Sequence, residues 1–143
     1  MKLFFVFIFV LVFLYGCAGS DSPASSFSKV GEDYGLITDL TDINGKVAFT
    51  GGTEQQYVVY YDGIEYGTEY ASARSPRGIN GKLAYMAAKE SGGKEFIVYD
   101  GREIGVEYDY VSRPVEIGGQ LSYMAQKGGD RYLVVGEEVK VLS

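Results

Sequence analysis

Ile79-Asn80-Gly81-Lys82-Leu83-Ala84-Tyr85 reads as the end of one strand, a two-residue turn and the start of a second strand. Asn-Gly accepts the positive φ angles of a type I′ turn, so this dipeptide between apolar residues is the strongest short hairpin signal a sequence carries. The same pattern stands upstream at Ile43-Asn44-Gly45-Lys46-Val47-Ala48-Phe49 and downstream at Ile117-Gly118-Gly119-Gln120-Leu121-Ser122-Tyr123. Three hairpins of one kind imply an internal repeat.

Working outward, the chain aligns on itself in three copies, 31–66, 67–104 and 105–143. Each opens with Gly, any residue, an acid and Tyr: Gly31 to Tyr34, Gly67 to Tyr70 and Gly105 to Tyr108. After the strand that follows the turn come runs rich in β-branched and aromatic residues, beginning at Tyr57, Phe96 and Tyr132. A second turn is expected at Asp62-Gly63, Asp100-Gly101 and Val135-Gly136, and a short acid-bearing edge segment closes each copy. The fold class is therefore all-β: three four-stranded antiparallel meander repeats. The middle strands, such as 83–87 and 96–99, are apolar at alternate and intervening positions alike, so both faces of each sheet must be covered. Short meanders buried on both faces are what radial stacking of propeller blades requires.

The turn and strand around Asn80-Gly81-Lys82-Leu83-Ala84-Tyr85, with the Phe96-Ile97-Val98-Tyr99-Asp100-Gly101 run, resemble WD40-like, TolB-type β-propeller repeats. The resemblance covers all three copies, and the Ser-Pro-Asp of that family's pattern is missing here. It implies blade-like sheets and a binding surface rather than a catalytic one. Closed propellers typically use about 4–8 blades. With three, each end face leaves very roughly 300 Å² of apolar surface uncovered, and at ~25 cal/mol/Å² the two together forgo on the order of 10 kcal/mol. A second copy of the chain or another blade-bearing protein is the expected partner, unless the chain is a fragment of a larger propeller protein whose further blades cover these faces. The β-trefoil is the alternative: three copies of four strands that close on their own threefold axis, with carbohydrate binding or carbohydrate chemistry as the matching function.

The N-terminus reads as an address. Met1-Lys2 precedes thirteen apolar residues, Leu3 to Tyr15, too few for a spanning helix and right for the core of a secretory signal, here 1–16. Leu14-Tyr15-Gly16-Cys17 resembles a bacterial lipobox, although Tyr15 stands where that pattern has a small residue. The resemblance implies lipid attachment at Cys17 and a membrane-anchored envelope protein, with 17–30 as a serine-rich flexible linker. Ordinary cleavage after Ala18 is the competing outcome.

Composition excludes other chemistry. There is no His, one Cys, and a formal net charge of −6 from 13 basic and 19 acidic residues. Imidazole catalysis, a His or Cys zinc site and an internal disulfide are out, and an acidic chain with no basic run is a poor nucleic-acid binder. No cofactor is expected. The recurring carboxylates are Asp33, Glu69 and Glu107 before the repeat tyrosine, and Glu65, Glu103 and Glu138 after the second turn. A glycosidase pair is asymmetric, whereas these recur, so protection of sheet edges is the expected role and the protein is expected not to be an enzyme. Asp62 with Glu65, and Asp100 with Glu103, offer too few oxygens for calcium and read as turns. Tyr34, Tyr70 and Tyr108 read either as core packing between the copies or as a ring for stacking sugar or peptide. Arg74, Arg77 and Arg113 follow the repeat tyrosines and lead toward the central rim, as solvated charge or as partners of an anionic ligand.

Overall fold

The computed structural model describes residues 34–142. The signal segment, Cys17, the linker and Asp33 lie outside the described residues. Thirteen strands and no helix make up the described part. In the first sheet β1 (Leu36–Ile43), β2 (Lys46–Gly52), β3 (Tyr57–Tyr61) and β4 (Ile64–Tyr66) pair antiparallel in chain order. β5 (Ser72–Ile79), β6 (Lys82–Ala88), β7 (Glu95–Tyr99) and β8 (Arg102–Tyr108) do the same. A single parallel bridge, Tyr57 with Ser72, links the ladders of the two quartets. In the last sheet β9 (Tyr110–Val111) and β10 (Val115–Ile117) both pair with β11 (Gln120–Lys127), which continues to β12 (Asp130–Val135) and β13 (Glu138–Leu142). Apart from β4, which pairs β3, and β9, which pairs β11, the strand order is linear in each sheet, and the described strands close neither a barrel nor a propeller ring.

The turn chemistry works as the sequence implies. Asn44 and Asn80 sit at φ of 56° and 47°, each followed by a glycine also at positive φ. Asp62-Gly63 and Asp100-Gly101 repeat this at the second turn, and Lys46 and Lys82 reach across their hairpins to the two aspartates. The third copy departs. Val135 pairs with Glu138, so the turn is Gly136-Glu137 and not Val135-Gly136. One residue of slip exchanges the faces of a strand. Val139, not Glu138, consequently takes the place of Glu65 and Glu103 opposite the third strand.

The sheets lie against one another with alternating residues of β6 facing opposite ways. Tyr85 and Ala87 join Val59, Ala73, Phe96 and Val98 in a core shared with the first quartet. Ala84 and Met86 join Ile97, Tyr108, Val111, Tyr123 and Val134 in a core shared with the last sheet. β2 from Ala48 onward, and Phe96 to Val98 in β7, are buried at every position, as a doubly covered sheet demands. β11 is not: Met124 and Gln126 are exposed. Equivalent residues show the change of circumstance directly. Ile43 and Ile79 are 2% and 1% exposed, while Ile117 is 51% exposed; Met86 is 6% exposed, while Met124 is 51%.

Candidate functional site

The first strands of the quartets meet at their irregular points. β1 shifts register between Thr38 and Thr41, and β5 between Arg74 and Arg77. At the shifts Asp39 and Ser75 adopt φ of 55° and 58°. Arg113, at the same place in the third copy, lies between β9 and β10, where the strand breaks before Pro114. Proline lacks an N–H, and Pro76 and Pro114 follow these two positions, so both interrupt a ladder there. Neither Asp39 nor Ser75 stands out in the sequence as a site residue. The residue-Pro step inside an otherwise strand-like run finds Ser75 and its counterpart Arg113; Asp39, followed by Leu40, is found only by aligning the copies.

The three equivalent positions are joined by hydrogen bonds. The Arg113 guanidinium donates to Asp39 Oδ1 at 3.0 Å. Thr50, buried in β2, donates its hydroxyl to Asp39 Oδ2 at 3.1 Å and accepts the Ser75 backbone N–H at 2.9 Å. The Ser75 hydroxyl completes the set toward Asp39 Oδ2 at 3.4 Å. Arg77, half-buried, donates one guanidinium N–H to the Pro76 carbonyl at 2.8 Å and makes no ion pair among the described residues. Burial first, and then the neighbouring Arg113, hold its pKa below the usual arginine value, with Asp39 opposing them.

Of the three arginines expected at the rim, Arg113 joins the Asp39 network, Arg77 bonds the Pro76 carbonyl, and Arg74 is held elsewhere. Arg74 pairs with Glu95, whose other oxygen accepts the Val111 N–H. Both line an open, largely polar cleft of about 470 Å³ on that side, with Tyr57 and the 53–56 loop.

The repeat tyrosines pack inside their own copies. Tyr34 meets Phe49 edge-on at 5.5 Å, Tyr70 meets Phe96 at 5.2 Å, and Tyr108 meets Tyr123 at 6.4 Å. The Tyr34 hydroxyl donates to Glu65, and Tyr70 donates to Glu103 at 3.2 Å. Burial and that bond push the Tyr70 hydroxyl up to about 12. In the third copy Val139 stands at the register position of those glutamates, and Tyr108 is buried beside Tyr123.

Two of the recurring carboxylates are brought together. Glu103 and Glu107 share Lys89, at 3.0 and 3.1 Å, on an exposed surface. Glu69 and Glu138 are exposed and join neither group. Asp62 and Asp100 are held by Lys46 and Lys82, while Glu65 and Glu103 turn to tyrosines, so neither turn gathers its acids. Among the described residues no three His, Cys, Asp or Glu side chains cluster in a way that could hold a metal.

Fold and geometry together define an all-β protein of antiparallel sheets with a polar junction where β1, β5 and the β9–β10 segment meet. No protein-family model, curated protein or solved structure matches the chain.

Proposed function

We propose that the chain is an exported, non-enzymatic binding module of propeller-blade type, anchored by lipid at Cys17, and that a second copy covers its open end. Export and anchoring rest on the apolar run 3–15 and on Cys17 at its end. Several acyl chains, at roughly 0.8 kcal/mol per buried CH₂, hold a protein on a membrane far longer than one chain does.

The pairing rests on one observation: Ile117 and Met124 stand in the register of Ile79 and Met86 and are half uncovered. Tyr110 and Val115 extend the same exposed face, with a cavity of about 320 Å³ beside Tyr110, Met124 and Leu142. An apolar face of this kind marks an interface. What covers the two equivalent faces within the chain is in each case the next four-stranded unit, so the fitting occupant is another such unit, and a second copy supplies one. Its first quartet also carries Asp42 where the last sheet carries Glu116, the residue that accepts the Asn80 N–H between neighbouring sheets. Gly118, the counterpart of Asn80, has an N–H that Asp42 of a second copy can accept in the same way.

Light scattering of residues 18–143 across a concentration series tests the pairing. A dimer is expected, and Ile117→Lys with Met124→Lys should return it to the monomer without loss of strand content. A wild-type monomer at every concentration overturns the reading. Anchoring is tested separately by the mass of the mature N-terminus, expected to be an acylated Cys17; an unmodified terminus at Gly19 refutes it.

A further inference from the structure

We propose that the cleft between the 53–56 and 89–94 loops binds a short neutral glycan, stacked on Tyr57. The loops join β2 to β3 and β6 to β7, so they are the same loop of successive copies. In the third copy Gly128-Gly129 alone joins β11 to β12. Two residues are enough to close a hairpin, so the sheet does not demand the extra length of the first two loops. Loops held on a rigid scaffold are where binding groups collect. Here both line one open cleft of about 470 Å³, within the roughly 300–1,000 Å³ of small-ligand sites.

The lining has the chemistry of a polyol site. Tyr57 stands opposite Gly52, and a Cβ on that glycine would come within 3.1 Å of the ring, so the tyrosine lies over a bare stretch of β2 and stays 44% exposed. Such a ring offers an apolar face to the C–H side of a sugar and a hydroxyl at its tip. Arg74 and Glu95 in the lining are a matched ion pair, and the second Glu95 oxygen takes the Val111 N–H. With that charge cancelled and Glu54 in the same lining, the cleft has no free cation to attract an anion. The Gln55 amide and the Ser91 hydroxyl line it too, and make no hydrogen bond among the described residues, which leaves donors and acceptors for neutral hydroxyls. Thr53 fixes the first loop in advance: its hydroxyl accepts the Gln55 and Gln56 N–H groups at 3.3 and 3.1 Å, and its own N–H reaches the Gln56 carbonyl at 2.9 Å. A wall ordered before the ligand arrives costs less entropy on binding. The inference rests on reading the chain as a binding module and names its ligand. Every group belongs to one chain, so neither pairing nor the anchor at Cys17 bears on it.

The test uses the full chain in a polyoxyethylene detergent, which carries no sugar, titrated by calorimetry with cellohexaose, maltohexaose, laminarihexaose and N-acetylchitohexaose. Saturable heat with at least one of them is expected, with backbone amide shifts confined to 53–57, 72–74 and 91–95. Tyr57→Ala should weaken that binding about tenfold or more. Tyr57→Phe, which keeps the ring and guards against a variant that fails to fold, should stay within about threefold of wild type. A control variant outside the cleft, Arg102→Gln, should respond as wild type. Because the charges in the lining are matched, affinity should hold between about 50 and 500 mM salt. Equal affinity in wild type and Tyr57→Ala overturns the proposal, as does a wild type that takes up none of the four sugars or that binds a trilysine peptide in their place. The sugar should be recovered at its original length; shortened product would uphold the cleft as the site and overturn the non-enzymatic reading. A monomer in light scattering that still binds sugar would likewise uphold the site and overturn only the pairing.

Discussion

Gly67 shows what a single side chain would cost. It adopts φ of 75°, and a Cβ there would stand 2.3 Å from the Ala73 Cβ. Gly67→Ala therefore meets backbone strain and a clash together, and a loss of about 2–4 kcal/mol in chemical denaturation is expected. Gly92, at φ of 68° with nothing near its would-be Cβ, is the contrast: Gly92→Asn should change stability by less than ~0.5 kcal/mol. The tyrosines carry a pH signature. Burial pushes Tyr70 and Tyr123 up to about 12 from the ordinary 10, and moves Tyr85 upward as well. Above pH 10 the unfolded chain releases these protons while the folded chain keeps them. The unfolded state then binds fewer protons, so stability is intact below pH 10 and falls between pH 10 and 12. Thermal midpoints measured from pH 8 to 12 should show that fall, and Tyr70→Phe or Tyr123→Phe should flatten it.

The hairpin is the element most openly written in the chain. Asn-Gly and Asp-Gly dictate local φ angles, and local signals survive any tertiary context, so the strands beside Asn44, Asn80 and Gly118 are legible from residues alone. Register is less so. The last hairpin has no Asp-Gly to fix its turn, and the turn adopted, Gly136-Glu137, sets Val139 opposite buried Val134 while Val139 itself stays exposed. The inner-strand bulges are the least legible, because they depend on partners some 11 to 74 positions away along the chain. Arg113 reaches Asp39 only once three units have assembled. Thr50→Val tests how far the bulge relies on one hydroxyl. It preserves shape, leaves the Ser75 N–H without its acceptor in a buried place and deprives Asp39 of a donor. A loss of about 1–3 kcal/mol is expected in urea unfolding, with hydrogen exchange at Ser75 accelerated.

At the scale of the whole molecule, position in the series decides what a residue contributes. Ile79→Ala should cost about 2–5 kcal/mol, because Ile79 fills the core between two sheets, whereas Ile117→Ala in an isolated chain should cost under ~1 kcal/mol. Comparing the two by denaturant midpoint at low protein concentration measures what the missing neighbour is worth. The linear strand order has a mechanical counterpart. β13 is the outermost strand of the last sheet and is held along one edge only, by β12. Tension applied at Leu142 would peel it away rung by rung at low force, as a zip opens. Tension applied at Leu36 would also act on an end strand, but β1 is paired with β2 at six positions and packs against β5 as well, and would meet stiffer resistance. A protein tethered by its front end and tugged from its back end would thus shed its last strand first, and keep its middle whole.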